Sequence, residues 1–157
     1  MVTKFLINSH FNYHIMKGNV LLPKIKVRKL TPATPAGYIV ERKKDLYTAI
    51  SAKIPNIDEL RQKSLGKKLH LEVCFYLNAE TGVEGDIQKD LDNLLKVVFD
   101  VLPQHFTDEN NEPTEGLGLI EDKSDYMIFE INASKKFVKT HDDEGYDIEI
   151  SEFVENS

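Results

Sequence analysis

Two adjoining stretches decide how this chain folds: LHLEVCFYL, Leu69 to Leu77, and KDLDNLLKVVFDVL, Lys89 to Leu102. The first is rich in β-branched and aromatic residues and alternates in part, which predicts a strand. In the second, Leu91, Leu94, Leu95, Val98 and Leu102 recur at i, i+3, i+4 and i+7. That spacing predicts a helix over Asp90 to Leu102 with one buried face, stopped by Pro103. An acidic loop, NAETGVEGDIQ, joins the two.

Around this pair the pattern continues outward. Lys4 to Asn8 (KFLIN) reads as a short first strand. Asn19 to Leu30 alternates after Pro23, with Ile25, Val27 and Leu30 set against Lys24, Lys26, Arg28 and Lys29, so it reads as a strand or extended arm with a basic face. TPATPAG is a loop by its prolines and glycine. Glu41 to Ile54 reads as a helix closed by Pro55, and Ile57 to Leu65 as a further short turn. Gln104 to Gly118 is polar and acidic, and a loop of about 15 residues is long for a compact domain. Tyr126 to Ile131 and Asp147 to Phe153 are the last two strands, which the turn KTHDDEGY would fold into a hairpin. The expected architecture is α+β: one domain over residues 1–157, a small mixed β-sheet with two main helices packed on one face.

A chain of 157 residues is long enough to bury about two thirds of its unfolded surface without staples. Its single cysteine, Cys74, sits in an apolar run and has no internal disulfide partner. No apolar run approaches the roughly 18 residues of a membrane span, and MVTKFLINSHFNYH lacks a secretory pattern, so the expectation is a cytoplasmic protein with no membrane partner. The net charge of -6 conceals a segregation. Residues 1–68 carry 14 Lys+Arg against 4 Asp+Glu, and residues 69–157 carry 6 against 22. A basic half can follow a polyanion backbone while an acidic half holds cations. A solvated surface whose halves attract each other would give the same tally.

The segment KDLDNLLK admits two readings. Asp90 can cap the helix, Asp92 suits the positive end of its dipole, and Asp92 with Lys96 forms an i, i+4 pair. Capping leaves Asp100 unexplained, because an acid in the last turn opposes the dipole. It also leaves a second acidic cluster, Glu121-Asp122 with Asp125, directly before a strand. If that strand pairs beside Leu69 to Leu77, the helix start and this cluster are expected to meet at one edge of the sheet. Converging carboxylates raise one another's pKa unless a cation neutralises them, and carboxylate and water ligands suit Mg²⁺ or Mn²⁺.

The pattern D-x-D-N-x-x-K-x-x-x-D-x-L, here Asp90, Asp92, Asn93, Lys96, Asp100 and Leu102, resembles that of the RusA-type Holliday junction resolvases, small endonucleases typical of phages and prophages. The likeness spans roughly Leu69 to Phe153, with Glu121-Asp122 in the place of the family's second acidic pair. The connection before that pair is longer here, and only SHFNYH echoes the family's N-terminal motif. The resemblance implies a homodimer that resolves four-way DNA junctions by paired symmetric nicks with Mg²⁺, or Mn²⁺, as cofactor. It implies Asp90, Asp92 and Asp122 as metal ligands and catalytic residues together with Lys96, with Asn93, Asp100 and Glu121 in support.

Phosphodiester hydrolysis needs an activated water and neutralised charge at the phosphate. Lys96 lies about 6 Å along the helix axis from Asp92, within reach of a bound phosphate. Lys24, Lys26, Arg28 and Lys29, with Arg42, Lys43 and Lys44, are the candidate contacts to a DNA backbone, which position a duplex without reading sequence. His70, His105 and His141 read as isolated, and no zinc, phosphate-loop or dinucleotide motif is present. Three other functions compete: a nuclease preferring flaps or forks, a non-catalytic DNA-binding or assembly protein of the same fold, and an acidic adaptor.

Overall fold

The structure is a computed structural model that describes residues 18–35, 39–78 and 89–155. The expected strand Lys4 to Asn8, the echo in SHFNYH and most of the acidic loop before Lys89 lie outside the described residues. The elements run β1 (Val20–Arg28), α1 (Ile39–Ser51), α2 (Ile57–Ser64), β2 (Leu69–Asn78), α3 (Leu91–Val101), β3 (His105–Thr107), β4 (Pro113–Glu115), β5 (Ile128–Val138) and β6 (Gly145–Glu152). Four strands form one mixed sheet in the order β1-β6-β2-β5, and β3 pairs with β4 in a separate small ribbon. The α+β class therefore holds. Ile57 to Ser64 is a full helix rather than a turn, because Asn56 caps it by accepting from the Glu59 amide at 3.1 Å.

The period of two in β2 separates its faces. Leu69, Leu71, Val73, Phe75 and Leu77 are buried and meet Tyr146, Ile148 and Ile150 of β6 in the core. Phe75 and Tyr146 pack edge to face with centroids 5.5 Å apart. Helix α3 covers this face with Leu94, Val97, Val98 and Val101. Its buried stripe is turned from the expected one: Leu91 and Leu95 are only half-buried, whereas Val97 and Val101 point inward. Leu46 and Ile50 of α1 and Leu60 of α2 complete the same core.

The last two strands do not form a hairpin. β6 lies between β1 and β2, antiparallel to both. β5 takes the other side of β2 and runs parallel to it from Leu69↔Ile128 to Asn78↔Val138. A parallel neighbour needs a crossover, and α3 supplies it. The long Gln104–Gly118 segment is not a bare loop. It folds as the β3–β4 ribbon and then returns along the end of α3, where the Leu117 and Leu119 amides donate to the Val101 and Leu102 carbonyls at 2.8 and 2.9 Å. Arg61 of α2 clamps the return, donating to the Leu117 and Gly116 carbonyls at 2.8 and 3.2 Å and pairing with Glu115 at 3.0 Å. Gly118 lies under that guanidinium at φ +72°, where a β-carbon would come within 2.7 Å of Arg61 Nε.

Leu94→Ala empties a fully buried position between α3 and the sheet, and it is expected to cost about 3 kcal/mol of unfolding free energy. Urea unfolding should show the midpoint falling with the slope unchanged.

Candidate functional site

Asp90 occupies the N-cap position of α3 in extended conformation, but its side chain makes no capping hydrogen bond. Its backbone carbonyl accepts from the Leu94 amide at 3.0 Å. Capping therefore does not occupy the carboxylate, which stands exposed at the positive end of the helix. Asp92 is 73% exposed and Lys96 58%, with Lys96 Nζ 3.8 Å from the Asp92 carboxylate and donating to Asn93 Oδ1 at 2.9 Å. An exposed pair of this kind contributes only about 0.3–0.5 kcal/mol, too little to account for the cluster as a stability device. Two lysines fix where this helix start sits. Lys89 donates to the Pro32 carbonyl at 3.1 Å, and Lys135 of β5 donates to the Lys89 carbonyl at 3.0 Å. Lys135 pairs with Phe75, so Asp90 and Asp92 stand near the C-terminal ends of β2 and β5.

Asp122 is elsewhere. It accepts from the His105 amide at 2.8 Å and faces His105 Nδ1 at 3.0 Å, and the hydrogen bond from that ring, followed by the amide's, holds its carboxyl below the usual value. His105 follows the C-terminus of α3, and Ile120 bridges to Pro103 there. The helix between has 11 residues, about 16 Å at 1.5 Å per residue. The expected meeting of the helix start with the acidic cluster therefore does not occur within the chain. In a strand–helix–strand crossover to a parallel neighbour, the helix starts at one end of the sheet and the next strand starts at the other. The premise that β5 pairs beside β2 is met, and it is what separates the two groups. Glu121 and Asp125 are exposed on the Asp122 side. No group of three His, Cys, Asp or Glu side chains arranged to hold a metal occurs among the described residues.

Asp100, which capping could not explain, pairs with Lys43 of α1 at 2.8 Å. It joins α3 to α1 instead of lining a site. Lys43 is largely covered in doing so, with 14% of its side chain exposed. Arg28 is likewise occupied. It pairs with Asp147 at 2.8 Å, donates to the Val27 and Tyr146 carbonyls, and stacks 4.2 Å over the Tyr76 ring. These two bases leave the set expected to meet DNA, whereas Lys24, Lys26, Lys29, Arg42 and Lys44 remain exposed.

The three histidines read as isolated all face carboxylates: His70 meets Glu130 at 2.8 Å, His105 meets Asp122 at 3.0 Å and His141 meets Glu144 at 3.2 Å. Each partner lies on a different element or across a turn, so only the His141–Glu144 spacing left a trace in the sequence. No family model matches this chain, and no curated protein or solved structure matches it.

Burial, followed by the hydrogen bond to Asp147 at 2.8 Å, pushes the Tyr76 phenol up to about 12. Burial alone pushes that of Tyr146 to about 12. Both folded values lie above the ordinary 10.0, so the neutral phenols stabilise the fold in full below pH 10. That stability is lost as pH rises from there through about 12. An alkaline titration of phenolate absorbance should show two late tyrosines accompanied by unfolding, and Asp147→Asn should bring only the Tyr76 step earlier.

Proposed function

We propose that this chain is a Mg²⁺-dependent, structure-selective endodeoxyribonuclease of the RusA type, acting on branched DNA as a homodimer. The observation that carries the reading is the start of α3: two exposed carboxylates, neither used as a helix cap, with an amide and an ammonium group on the following turn. The pattern of those residues is the specific part of the resemblance.

Asp90 and Asp92 suit a hard cation that keeps most of its water, because Mg²⁺ is commonly held by one or two carboxylates plus substrate phosphate. They do not make a three-carboxylate cage within the chain. The bound ion would supply charge neutralisation and a more acidic water at the scissile phosphate. Asn93 positions Lys96 through the 2.9 Å contact, and Lys96 offers a point charge to the phosphate that displaces it from Asp92. Lys24, Lys26, Lys29, Arg42 and Lys44 hold the DNA backbone.

Asp122 is assigned to the centre of the other subunit. Joining two copies with their β5 strands antiparallel lays the start of one β5 beside the end of the other. The start is the Asp122 side and the end is the Asp90 side. Each centre then draws Asp90 and Asp92 from one chain and the partner subunit's Asp122.

Cleavage of a synthetic mobile junction tests the function, with a panel of flaps and forks to separate the nuclease alternatives. Asp90→Asn and Lys96→Ala are each expected to lower the Mg²⁺-dependent rate by about 10²-fold or more while leaving junction binding. Cutting at the wild-type rate by both variants would remove the site assignment. Mixing Asp92→Asn chains with Asp122→Asn chains tests the sharing of the centre. A shared centre restores nicking at one site in each mixed dimer, whereas centres formed within single chains leave every mixture inactive.

A further inference from the structure

The β3–β4 ribbon fills the long connection between α3 and the second acidic cluster. A two-stranded ribbon is marginal by itself in water, so its position depends on what anchors it. Phe106, between the exposed His105 and Thr107, is buried in the core. Glu115, the register partner of His105, pairs with Arg61 of α2 at 3.0 Å. The Gly116 amide donates to the Gln104 carbonyl at 2.7 Å, and the Gly118 amide donates to the Pro103 carbonyl at 2.9 Å. The residues on either side of the turn into β3 are thus held to the core, to α2 and to the returning strand.

This anchored ribbon presents His105 to Asp122. The His105 amide donates to Asp122 Oδ1 at 2.8 Å, and the ring Nδ1 stands 3.0 Å from Asp122 Oδ2. An ionised carboxylate only accepts, so Nδ1 carries the shared proton. One residue therefore bonds both oxygens of the carboxylate, through its backbone and through its ring, and fixes the plane in which they lie. A carboxylate offers about four acceptor sites, and His105 takes two, which leaves each oxygen able to meet one further partner. The two side chains are 52% and 45% exposed, and an exposed ion pair adds little to stability. The double contact serves orientation more than folding.

We infer that His105 is a positioning residue: carried on the β3–β4 ribbon, it holds the Asp122 carboxylate in one orientation for a divalent cation. This rests on the reading of Asp122 as a metal ligand given above. A ligating carboxylate whose orientation is set by outer hydrogen bonds loses less freedom when it takes up its ion. In this role the ring touches neither the ion nor the DNA. Phe106 and Arg61 act one step further out, by fixing the ribbon that carries His105.

Full-length variants test it with two readouts. One is Mn²⁺ binding without DNA, followed by loss of the free-ion paramagnetic resonance signal. The other is the Mg²⁺ dependence of junction cutting. His105→Leu removes the ring donor and keeps the backbone amide. It is expected to raise the Mn²⁺ dissociation constant, and the Mg²⁺ concentration for half-maximal cutting, at least about tenfold. His105→Asn, whose side-chain amide can stand in for Nδ1, should recover most of that loss. Thermal melting followed by circular dichroism should be the same for all three proteins. Wild-type Mn²⁺ affinity in His105→Leu, a His105→Asn protein as weak as His105→Leu, or a wild type that takes up no Mn²⁺ overturns the inference. If wild type binds Mn²⁺ and His105→Leu weakens that binding, but no branched DNA is cut, the nuclease reading falls and the positioning role stands.

Discussion

The rest of the molecule depends on the parallel pairing of β5 with β2 through α3. A parallel neighbour cannot be reached by a tight turn, so the chain must travel the full length of the sheet before starting the next strand. α3 makes that passage, and it is held in place by the buried Leu94, Val97, Val98 and Val101 against the β2 face. Everything attached to the two ends of α3 inherits their separation. Asp90 and Asp92 belong to one end of the sheet, while His105, Ile120 and Asp122 belong to the other.

Polar contacts then distribute the charges between structure and surface. Asp100 and Lys43 tie two helices together, and Arg61 ties the returning segment after β4 to α2. Arg28, Asp147 and Tyr76 form a covered network across three strands. Charged groups that are this well partnered would have to break contacts to bind anything else. Of the charged residues singled out in the sequence, Asp90, Asp92 and Lys96 at the α3 start remain exposed, as do Lys24, Lys26, Lys29, Arg42 and Lys44. That division makes the α3 start the natural place to look for chemistry.

The same topology bears on the proposed assembly. A parallel strand at the sheet edge has its start and end at opposite ends of the domain, so a two-fold partner added to that edge reverses them. In the homodimer proposed above, antiparallel pairing of two chains would bring toward one another the groups that a single chain keeps apart. Two-fold symmetry would make this happen twice, in keeping with the paired nicks of the proposed activity.

The sequence by itself determined the α+β class, the β2 strand, the α3 helix and its exposed acidic start, because these rest on local periodicity and on residues close in the chain. It also determined the segregation of charge into a basic and an acidic half. Tertiary structure alone decided that β6 inserts between β1 and β2, that β5 runs parallel rather than folding back as a hairpin, and that Gln104 to Gly118 builds a ribbon. Strand order depends on which edges are free when the core closes, and no local pattern records that. Likewise, only the folded chain revealed that Asp100 and Arg28 have partners at Lys43 and Asp147. Those partners are distant in sequence, and their pairing is a consequence of packing rather than of spacing. The separation of Asp122 from Asp90 and Asp92 has the same origin: the residues were legible, but their distance was set by the direction of one strand.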